Sequence, residues 1–455
     1  MSTLATATRA LSGLPRNAGP SFAIAQQARG YAAQPSKKSK IAKQSSTGFK
    51  GKGRNGERGA VKREKRLGTW NPMSPSQLSH PVFQTQSLTE MNFPFFHADR
   101  MTPTYVSKAL AFPMPENDAA RVFGLPKSML LEYRLLPKRT SVVRDVTLKV
   151  ADRLQQAKQQ SSEHNRIVLA GSPGCGKSYL LLQAVEYASS ADWIVMYIPR
   201  AINLVNSSSP YYYDLRTQTY LQPIFAYQTL QRFLTVNPST LERLQTSAPI
   251  EIERRDPVPA GTPLVELIDV GLKDQLVAPT VLTALMEELG KQTQFPVLLA
   301  IDDFQALFSE STYRSPHFSA IKAWHLSMPR LLLDYASGQK TFARGAVVGA
   351  LSTADTRFKL STELRHALGL QPWLKPSPFV KIAPEILEFT KGIEMMRVPD
   401  RLSVDEAASL FEVWMKNKTL HTQSNNDELF MAKYAESGGN ARDFVWKGLL
   451  STLES

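Results

Sequence analysis

The stretch GSPGCGKS combines residue types that can hold a phosphate group. Its spacing is G-x-x-x-x-G-K-S, with Gly171, Gly176, Lys177 and Ser178 at the defined positions. Glycines let the backbone curl so that its N–H groups face phosphate oxygens, the lysine reaches the terminal phosphates, and the serine hydroxyl can bind Mg²⁺. The residues that we predict to contact a nucleotide here are Gly171, Ser172, Pro173, Gly174, Cys175, Gly176, Lys177, Ser178 and Tyr179.

Two consecutive acids, Asp302 and Asp303, follow a second apolar run at residues 297–301. After a phosphate-binding loop, the first acid of such a pair would hold Mg²⁺ and the second could polarise an attacking water. We therefore predict Ser178 and Asp302 as magnesium ligands and Asp303 as the candidate catalytic residue. Asp303 is one methylene shorter than the glutamate usual at this position, so the sequence indicates nucleotide binding with at most slow hydrolysis.

Two further polar positions complete the candidate site. The apolar segment ARGAVVGALST ends in Ser352 and Thr353, either of which could sense a terminal phosphate or simply end a strand. The segment SGGNARD places Arg442 at the start of a helix. There it could reach the nucleotide or form a local salt bridge, and the sequence leaves both alternatives open.

The candidate site residues must be positioned by strands that end beside them and by helices that follow those strands. RIVLA before the loop predicts a buried strand and YLLLQAVEYA after it a helix, while 192–199 and 379–383 predict further strands. Residues 141–160 have apolar side chains at helical spacing and predict an amphipathic helix. Ser403 and Glu406 form an S-x-x-E capping pattern, which predicts a helix in a small C-terminal lid.

The composition excludes several classes of protein. Cys175 is the one cysteine, so no intramolecular disulfide can form, and no Cys/His cluster suggests zinc. The longest apolar run is too short to span a bilayer, so we expect no membrane span.

The net charge is +14, yet residues 1–67 contain fifteen Lys or Arg and two acids and so carry +13 of it.

The basic N-terminus divides into two parts. Residues 1–31 lack acids and contain spaced arginines with many Ser, Thr and Ala, which is typical of a mitochondrial transit peptide. Residues 32–67 mix Lys and Arg with Gly and Ser and cannot bury enough apolar surface to fold alone. We predict an extension that contacts RNA, because neutralised phosphates release counterions; a solvated linker is the alternative.

The order of motifs predicts an α/β fold, with a parallel central sheet that has helices on both faces. Residues 68–160 would pack on the core, 161–398 form the nucleotide-binding domain and 399–455 the helical lid. The phosphate loop, acidic strand, polar-ended strand and G-N-x-R helix start are similar to those of AAA+ P-loop ATPases. A working AAA+ motor also needs an arginine from a neighbouring subunit, for which Arg344 and Arg357 are the weak candidates.

Over residues 100–455 the chain resembles the death-associated-protein family of mitochondrial small-subunit ribosomal proteins. The segments that carry the resemblance are FGLPKSMLLEYRLL, SVVRDVTLKV, GSPGCGKS, VLLAIDDFQAL and SGGNARD. The resemblance implies a structural protein in the head of the small subunit of the mitochondrial ribosome, in the matrix. Its implied partners are the small-subunit rRNA, neighbouring mitochondrial ribosomal proteins and, through bridges, the large subunit.

The same resemblance implies a guanine nucleotide, GTP or GDP, with Mg²⁺. By match to the family, Gly171, Gly176, Lys177 and Ser178 take the phosphate role and Asp302 the magnesium role. The AAA+-like elements alone favour ATP, and the chain lacks an N-K-x-D guanine motif. The choice of base stays open, as does an alternative function, a free mitochondrial AAA+-type ATPase that remodels protein or nucleic acid.

Overall fold

The structure is a computed structural model that describes residues 93–136, 138–252, 255–370, 384–417, 420 and 427–453. The predicted transit peptide, the predicted basic extension and the strand predicted at 379–383 lie outside these residues.

The bounds of the strands and helices are as follows. The strands are β1 (Ala109–Ala111), β2 (Thr140–Val142), β3 (Arg166–Ala170), β4 (Ile194–Ile198), β5 (Tyr212–Asp214), β6 (Thr219–Leu221), β7 (Val297–Asp302), β8 (Glu310–Arg314), β9 (Ala320–Lys322), β10 (Gly345–Ala350) and β11 (Glu394–Arg397). The helices are α1 (Ala119–Phe123), α2 (Lys127–Leu135), α3 (Asp145–Ala157), α4 (Lys177–Ser190), α5 (Ile202–Val205), α6 (Pro223–Val236), α7 (Pro238–Leu241), α8 (Leu264–Lys273), α9 (Ala278–Lys291), α10 (Ser327–Ala336), α11 (Thr362–Ala367), α12 (Pro384–Phe389), α13 (Val404–Lys416), α14 (Asp427–Ser437) and α15 (Ala441–Asp443).

Five strands form a parallel sheet in the order β11-β3-β10-β7-β4. Four of them, β3, β4, β7 and β10, are buried along their whole length. Helices cover such a sheet, which explains why these strands are continuous apolar runs rather than alternating ones. The predicted α/β fold with a parallel sheet flanked by helices is confirmed.

The sheet order brings the predicted site residues to one edge. Strand β10 pairs with both β3 and β7, and Ala350 at its end lies in register with Asp302. The phosphate loop follows the carboxyl end of β3, and Ser352 comes two residues after β10. Ligands of open parallel sheets bind at the carboxyl ends of the strands, so this edge is where a ligand is expected.

The helix predicted for residues 141–160 was wrong at its start. Thr140–Val142 is a strand, which pairs antiparallel with Ala109–Ala111, and the Val143 N–H donates to the carbonyl of Lys108 at 3.0 Å. The helix α3 begins only at Asp145. Pairing with a strand from another part of the chain overrides the helical spacing of the valines.

The lid is built around its own apolar cluster. Leu402, Phe411, Trp414, Phe430 and Phe444 pack there, together with the C-terminal end of α2. The predicted capping box of α13 is confirmed, because Glu406 N–H donates to the Ser403 hydroxyl at 3.1 Å and Ser403 N–H to the Glu406 carboxylate at 3.0 Å. After α15 the chain continues as a π-helical turn, Phe444–Leu449.

Among the described residues, no helix has the length and apolar character needed to cross a bilayer.

Candidate functional site

The loop between β3 and α4 has the backbone that a phosphate cradle requires. Gly174 and Gly176 have φ angles of 80° and 98°, which side chains other than glycine rarely adopt. Gly176 is the residue before α4, and the first turn of a helix leaves N–H groups without intrahelical acceptors. These N–H groups, together with the helix dipole, favour an anion at this end of α4.

The ammonium group of Lys177 lies against the backbone of the phosphate loop. The side chain is buried, and its ammonium donates hydrogen bonds to the carbonyl oxygens of Gly171 at 3.0 Å and Ser172 at 2.7 Å. Cys175 is buried beneath the loop, with its sulfur 3.7 Å from the ammonium. A cation held here is positioned to meet the negative charge of a phosphate group.

The two predicted magnesium ligands touch each other. The hydroxyl of Ser178 is hydrogen-bonded to the carboxylate of Asp302. Burial, together with the charge of the neighbouring Asp303, raises the pKa of Asp302 to about 7 against the opposing effect of the Ser178 hydrogen bond. A buried carboxylate beside a hydroxyl is a donor set that suits Mg²⁺, which takes few protein ligands and completes its shell with water and phosphate oxygens.

In the part of the chain that the structure describes, no group of three or more His, Cys, Asp or Glu side chains is arranged to hold a metal ion.

Asp303 has a different environment from Asp302. Its backbone is left-handed with a φ of 56°, and its N–H donates to the Asp302 carboxylate at 2.9 Å. Burial raises the pKa of its carboxyl group, while a hydrogen bond from Ser352 and the charge of Arg200, 3.9 Å away, oppose that shift. The candidate catalytic carboxylate is therefore already engaged by two side chains.

Ser352 is held on both sides. Its side chain contacts Asp303, and its N–H donates to the buried side chain of Gln305 at 2.9 Å. The neighbouring Thr353 lines the same cavity as the phosphate loop. The polar end of β10 therefore contacts the acid pair.

The start of α15 lies directly on the phosphate loop. The N–H of Arg442 donates to the carbonyl of Gly174 at 2.9 Å, and the side-chain amide of Asn440 donates to the carbonyl of Pro173 at 2.9 Å. The guanidinium of Arg442 also lies 3.8 Å from Asp443 and is half exposed. The local salt bridge that the sequence left open is therefore present, and the contact of Arg442 with a nucleotide stays a prediction.

Arg144, just before α3, is a site residue that the sequence did not reveal. Its guanidinium donates to the carbonyl of Cys175 in the loop at 2.9 Å, to Glu406 in the lid at 3.1 Å, and to the carbonyl of Arg401 at 3.0 Å. A single arginine near a helix start carries no local signal for such a role, because its partners come from distant parts of the chain.

One cavity of about 210 Å³ is lined by the phosphate loop, the end of β10 and the lid, whereas Asp302 and Asp303 are not among its lining residues. Lys177, Ser178, Ser352 and Arg442 line it, and so do residues of α2, β2 and the lid. In the same cavity, the carboxylate of Glu132 accepts hydrogen bonds from the Tyr179 hydroxyl and, at 3.3 Å, from the Trp446 indole. Burial raises the pKa of Glu132 to about 7, and the two hydrogen bonds oppose the shift.

The two arginines considered for a subunit-to-subunit role have local partners. Arg344 donates to the carbonyls of Lys158 at 2.8 Å and Thr293 at 2.7 Å. It precedes β10 directly, so it lies at the amino ends of the strands, opposite the phosphate loop. Arg357 is exposed and pairs with Asp355 at 2.8 Å. Both guanidinium groups are therefore bonded within their own chain.

A known protein family matches the part of the chain that contains the site. The family described as mitochondrial ribosomal death-associated protein 3 matches residues 141–446, which include the phosphate loop, the acid pair, Ser352 and Arg442. The chain belongs to this family. The predicted family and the location in the mitochondrion are therefore confirmed, and the chain is a mitochondrial ribosomal protein.

The relatives of this chain include proteins with the name "Small ribosomal subunit protein mS29". The one from Schizosaccharomyces pombe is 26% identical over 381 residues, which cover 82% of this chain and 78% of that protein. The one from Neurospora crassa is 28% identical over 301 residues, covering 64% of this chain and 63% of that protein. The one from Bos taurus is 24% identical over 405 residues, covering 80% and 94%.

Proposed function

We propose that the chain is a structural constituent of the mitochondrial small ribosomal subunit that holds a purine nucleotide with Mg²⁺ between its sheet and its lid. The family match and the relatives' names support the place in the small subunit. We further propose that it works in the matrix, within the head of the subunit, and contributes there to bridging with the large subunit, as the family resemblance implies.

The observation that carries the nucleotide proposal is that one cavity is lined by both the phosphate loop and the lid. Lys177 and the loop backbone would hold the phosphates, and Ser178 with Asp302 would hold the Mg²⁺, which neutralises phosphate charge when bound. Ser352 and Arg442 would meet the terminal phosphate from the other walls. Burial disfavours the negative charge of Asp302 when that charge is isolated. A bound Mg²⁺ would offset this cost, so Asp302 fits the role of a magnesium ligand.

We propose that the nucleotide acts as a brace rather than as fuel. The lid already contacts the loop through Asn440 and Arg442, so a ligand in the cavity would add contacts to both. A ligand that binds only the folded state stabilises it by about 4 kcal/mol at a thousandfold excess over its dissociation constant, even when it is never hydrolysed. Asp303 is held by Ser352 and lies near Arg200, which supports slow turnover at most.

The proposed nucleotide is GTP or GDP, on family grounds, with ATP as the alternative that the AAA+-like elements favour. The proposed RNA contact belongs to the basic extension at residues 32–67, whose positive charge suits rRNA. Neighbouring mitochondrial ribosomal proteins would contact the folded part.

The second candidate function is a free mitochondrial AAA+-type ATPase that remodels protein or nucleic acid. The observation in its favour is that Ser352 and Arg442 lie around the cavity as sensing residues of such an enzyme would. Against it stands the family, whose members are ribosomal proteins by description.

Sedimentation of a mitochondrial lysate in high salt, with extraction of the bound nucleotide, separates the two functions. We expect the chain to migrate with the small ribosomal subunit, in one copy per subunit, and to carry slowly exchanging nucleotide. Migration as a separate ring-sized particle with steady ATP turnover would contradict the ribosomal proposal. Migration with the subunit but without nucleotide would contradict the nucleotide proposal alone.

A further inference from the structure

We propose that Glu132 reads the base of the nucleotide by accepting hydrogen bonds from N1–H and N2–H of guanine. This inference rests on the proposed nucleotide site and assigns its base-specific residue.

Glu132 shares a cavity with the phosphate loop and is linked to it directly. Tyr179, whose hydroxyl donates to Glu132, is the residue after Ser178, so the carboxylate is tied to the first turn of α4. A ligand held at the loop by its phosphates would place its base in the rest of the same cavity, which Glu132 lines. Met129, Leu410 and Trp414 line that cavity and supply apolar surface for the face of a base.

Two carboxylates line the cavity, and their partners distinguish them. Glu406 is paired with the guanidinium of Arg144 and caps its own helix, so its charge is neutralised by the protein. Glu132 accepts from two neutral donors, the Tyr179 hydroxyl and the Trp446 indole. A carboxylate offers about four acceptor positions, and these bonds use two.

The chemistry of a carboxylate selects guanine over adenine. Above its pKa of about 7 the Glu132 carboxylate is ionised and only accepts hydrogen bonds, and guanine presents two adjacent donors, N1–H and N2–H, on one edge. Adenine presents an acceptor at N1 and no donor at C2. Its N1 would therefore face carboxylate oxygens that are themselves acceptors, and no hydrogen bond could form. The hydroxyl of Thr140 lines the same cavity, is buried, and has no hydrogen-bond partner among the described residues, so it is available to donate to O6 of the base.

The test exchanges the acceptor for an amide and asks whether base preference changes as the hydrogen bonds predict. The full chain is titrated with GTP, ITP, XTP and ATP in the presence of Mg²⁺. We expect the unaltered chain to bind GTP more tightly than ATP, with ITP, which lacks the N2 amine, weaker than GTP. In Glu132→Gln the amide donates to the O2 carbonyl of xanthine and still accepts from N1–H.

We expect Glu132→Gln to weaken GTP binding by about tenfold to a hundredfold and to strengthen XTP binding. A gain for XTP cannot result from misfolding, so it isolates base reading from stability. Glu132→Ala, which removes the acceptor and adds no donor, is expected to bind GTP and ITP equally. Glu116→Gln, an exposed carboxylate in the loop before α1, is the matched control and should leave all four affinities unchanged.

The failures are distinguishable. If the unaltered chain binds no nucleotide, the proposed nucleotide site fails. If it binds GTP and ATP equally and Glu132→Gln changes neither, the site stands and the base-reading role is overturned. A parallel titration with dGTP tests the ribose. If the unaltered chain discriminates against dGTP, and Glu132→Gln removes that discrimination while XTP binding does not rise, the carboxylate contacts the ribose and base reading is likewise overturned.

Discussion

Arg144 donates a hydrogen bond from its Nε to the Oε2 of Glu406 across 3.1 Å, joining two residues that lie 262 positions apart in the chain. Both side chains are about nine-tenths buried, with exposed fractions of 10% and 9%. The same guanidinium bonds the carbonyl of Cys175, so one side chain connects the start of α3, the phosphate loop and the lid.

Arg144→Met should strongly destabilise the protein, because it leaves the Glu406 carboxylate buried without its partner. Removing one partner of a buried ion pair costs about 3–5 kcal/mol. Urea unfolding would measure the loss, and adding Glu406→Gln should recover part of it. Arg153→Met is the matched control, since its pair with Glu394 is exposed and should contribute at most about 1 kcal/mol. Equal losses at both positions would contradict the proposed role of Arg144.

Lys177→Ala should abolish nucleotide retention, because the cation inside the loop is lost. The measurement is the nucleotide content of the purified chain, together with its affinity for GTP in the presence of Mg²⁺. Lys149→Ala removes an exposed charge from α3 and should change neither quantity. A Lys177→Ala protein that keeps the nucleotide content of the unaltered chain would show that the site assignment is wrong.

Gly174→Ala should weaken nucleotide binding by displacing the lid. A Cβ at this position would lie 2.5 Å from Oδ1 of Asn440, in addition to the strain of a φ of 80°. Gly261→Ala is a matched control, because Gly261 has a φ of 84° and no atom within 4 Å of the added Cβ. In each variant the left-handed backbone at the new alanine lowers the free energy of unfolding by about 1–2 kcal/mol. If the two variants bind nucleotide equally well, contact between lid and loop does not determine affinity.

Glu186→Gln should change the pH dependence of stability. Burial raises the pKa of Glu186 well above 4.5, the charge of Asp118 raises it further, and Arg139 opposes the shift. The folded chain therefore keeps a proton that the unfolded chain releases above about pH 4.5, so stability falls as the pH rises through that range.

The amide of Glu186→Gln removes this loss of stability. Its benefit, relative to the unaltered chain, should be small near pH 5 and larger near pH 8. The measurement is the free energy of unfolding in urea at both pH values, with Glu116→Gln as the exposed control. The opposite trend, a benefit that shrinks as the pH rises, would show that Glu186 is ionised in the folded chain.

Deleting residues 35–66 should weaken association with rRNA and reduce its dependence on salt. Each phosphate neutralised by Lys or Arg contributes about 0.9 to the slope of log affinity against log salt for double strands. A tail of equal length with Lys and Arg replaced by Gln separates charge from chain length. If the slope is unchanged in both variants, the tail makes no contact with the RNA.

The sequence by itself determined the strand–loop–helix around Lys177 and the strand that ends in Asp302. Local rules suffice there: glycines permit the loop conformation, and parallel strands covered by helices must be apolar throughout. The capping box at Ser403 is equally local, because its two hydrogen bonds join residues three positions apart. The sequence did not predict where α3 begins, because the strand β2 before it exists only through its pairing with β1.

Only the tertiary structure decided the contacts of Arg144 and Glu132. Their partners lie on the loop, on α4 and on the lid, and single residues on α2 and before α3 carry no periodicity or spacing that reveals them. The sheet order brings the end of β10 beside the acid pair, which is how Ser352 contacts Asp303. Burial then raises the pKa values of Asp302 and Glu132, a property that depends on what surrounds a carboxylate and not on its neighbours in sequence.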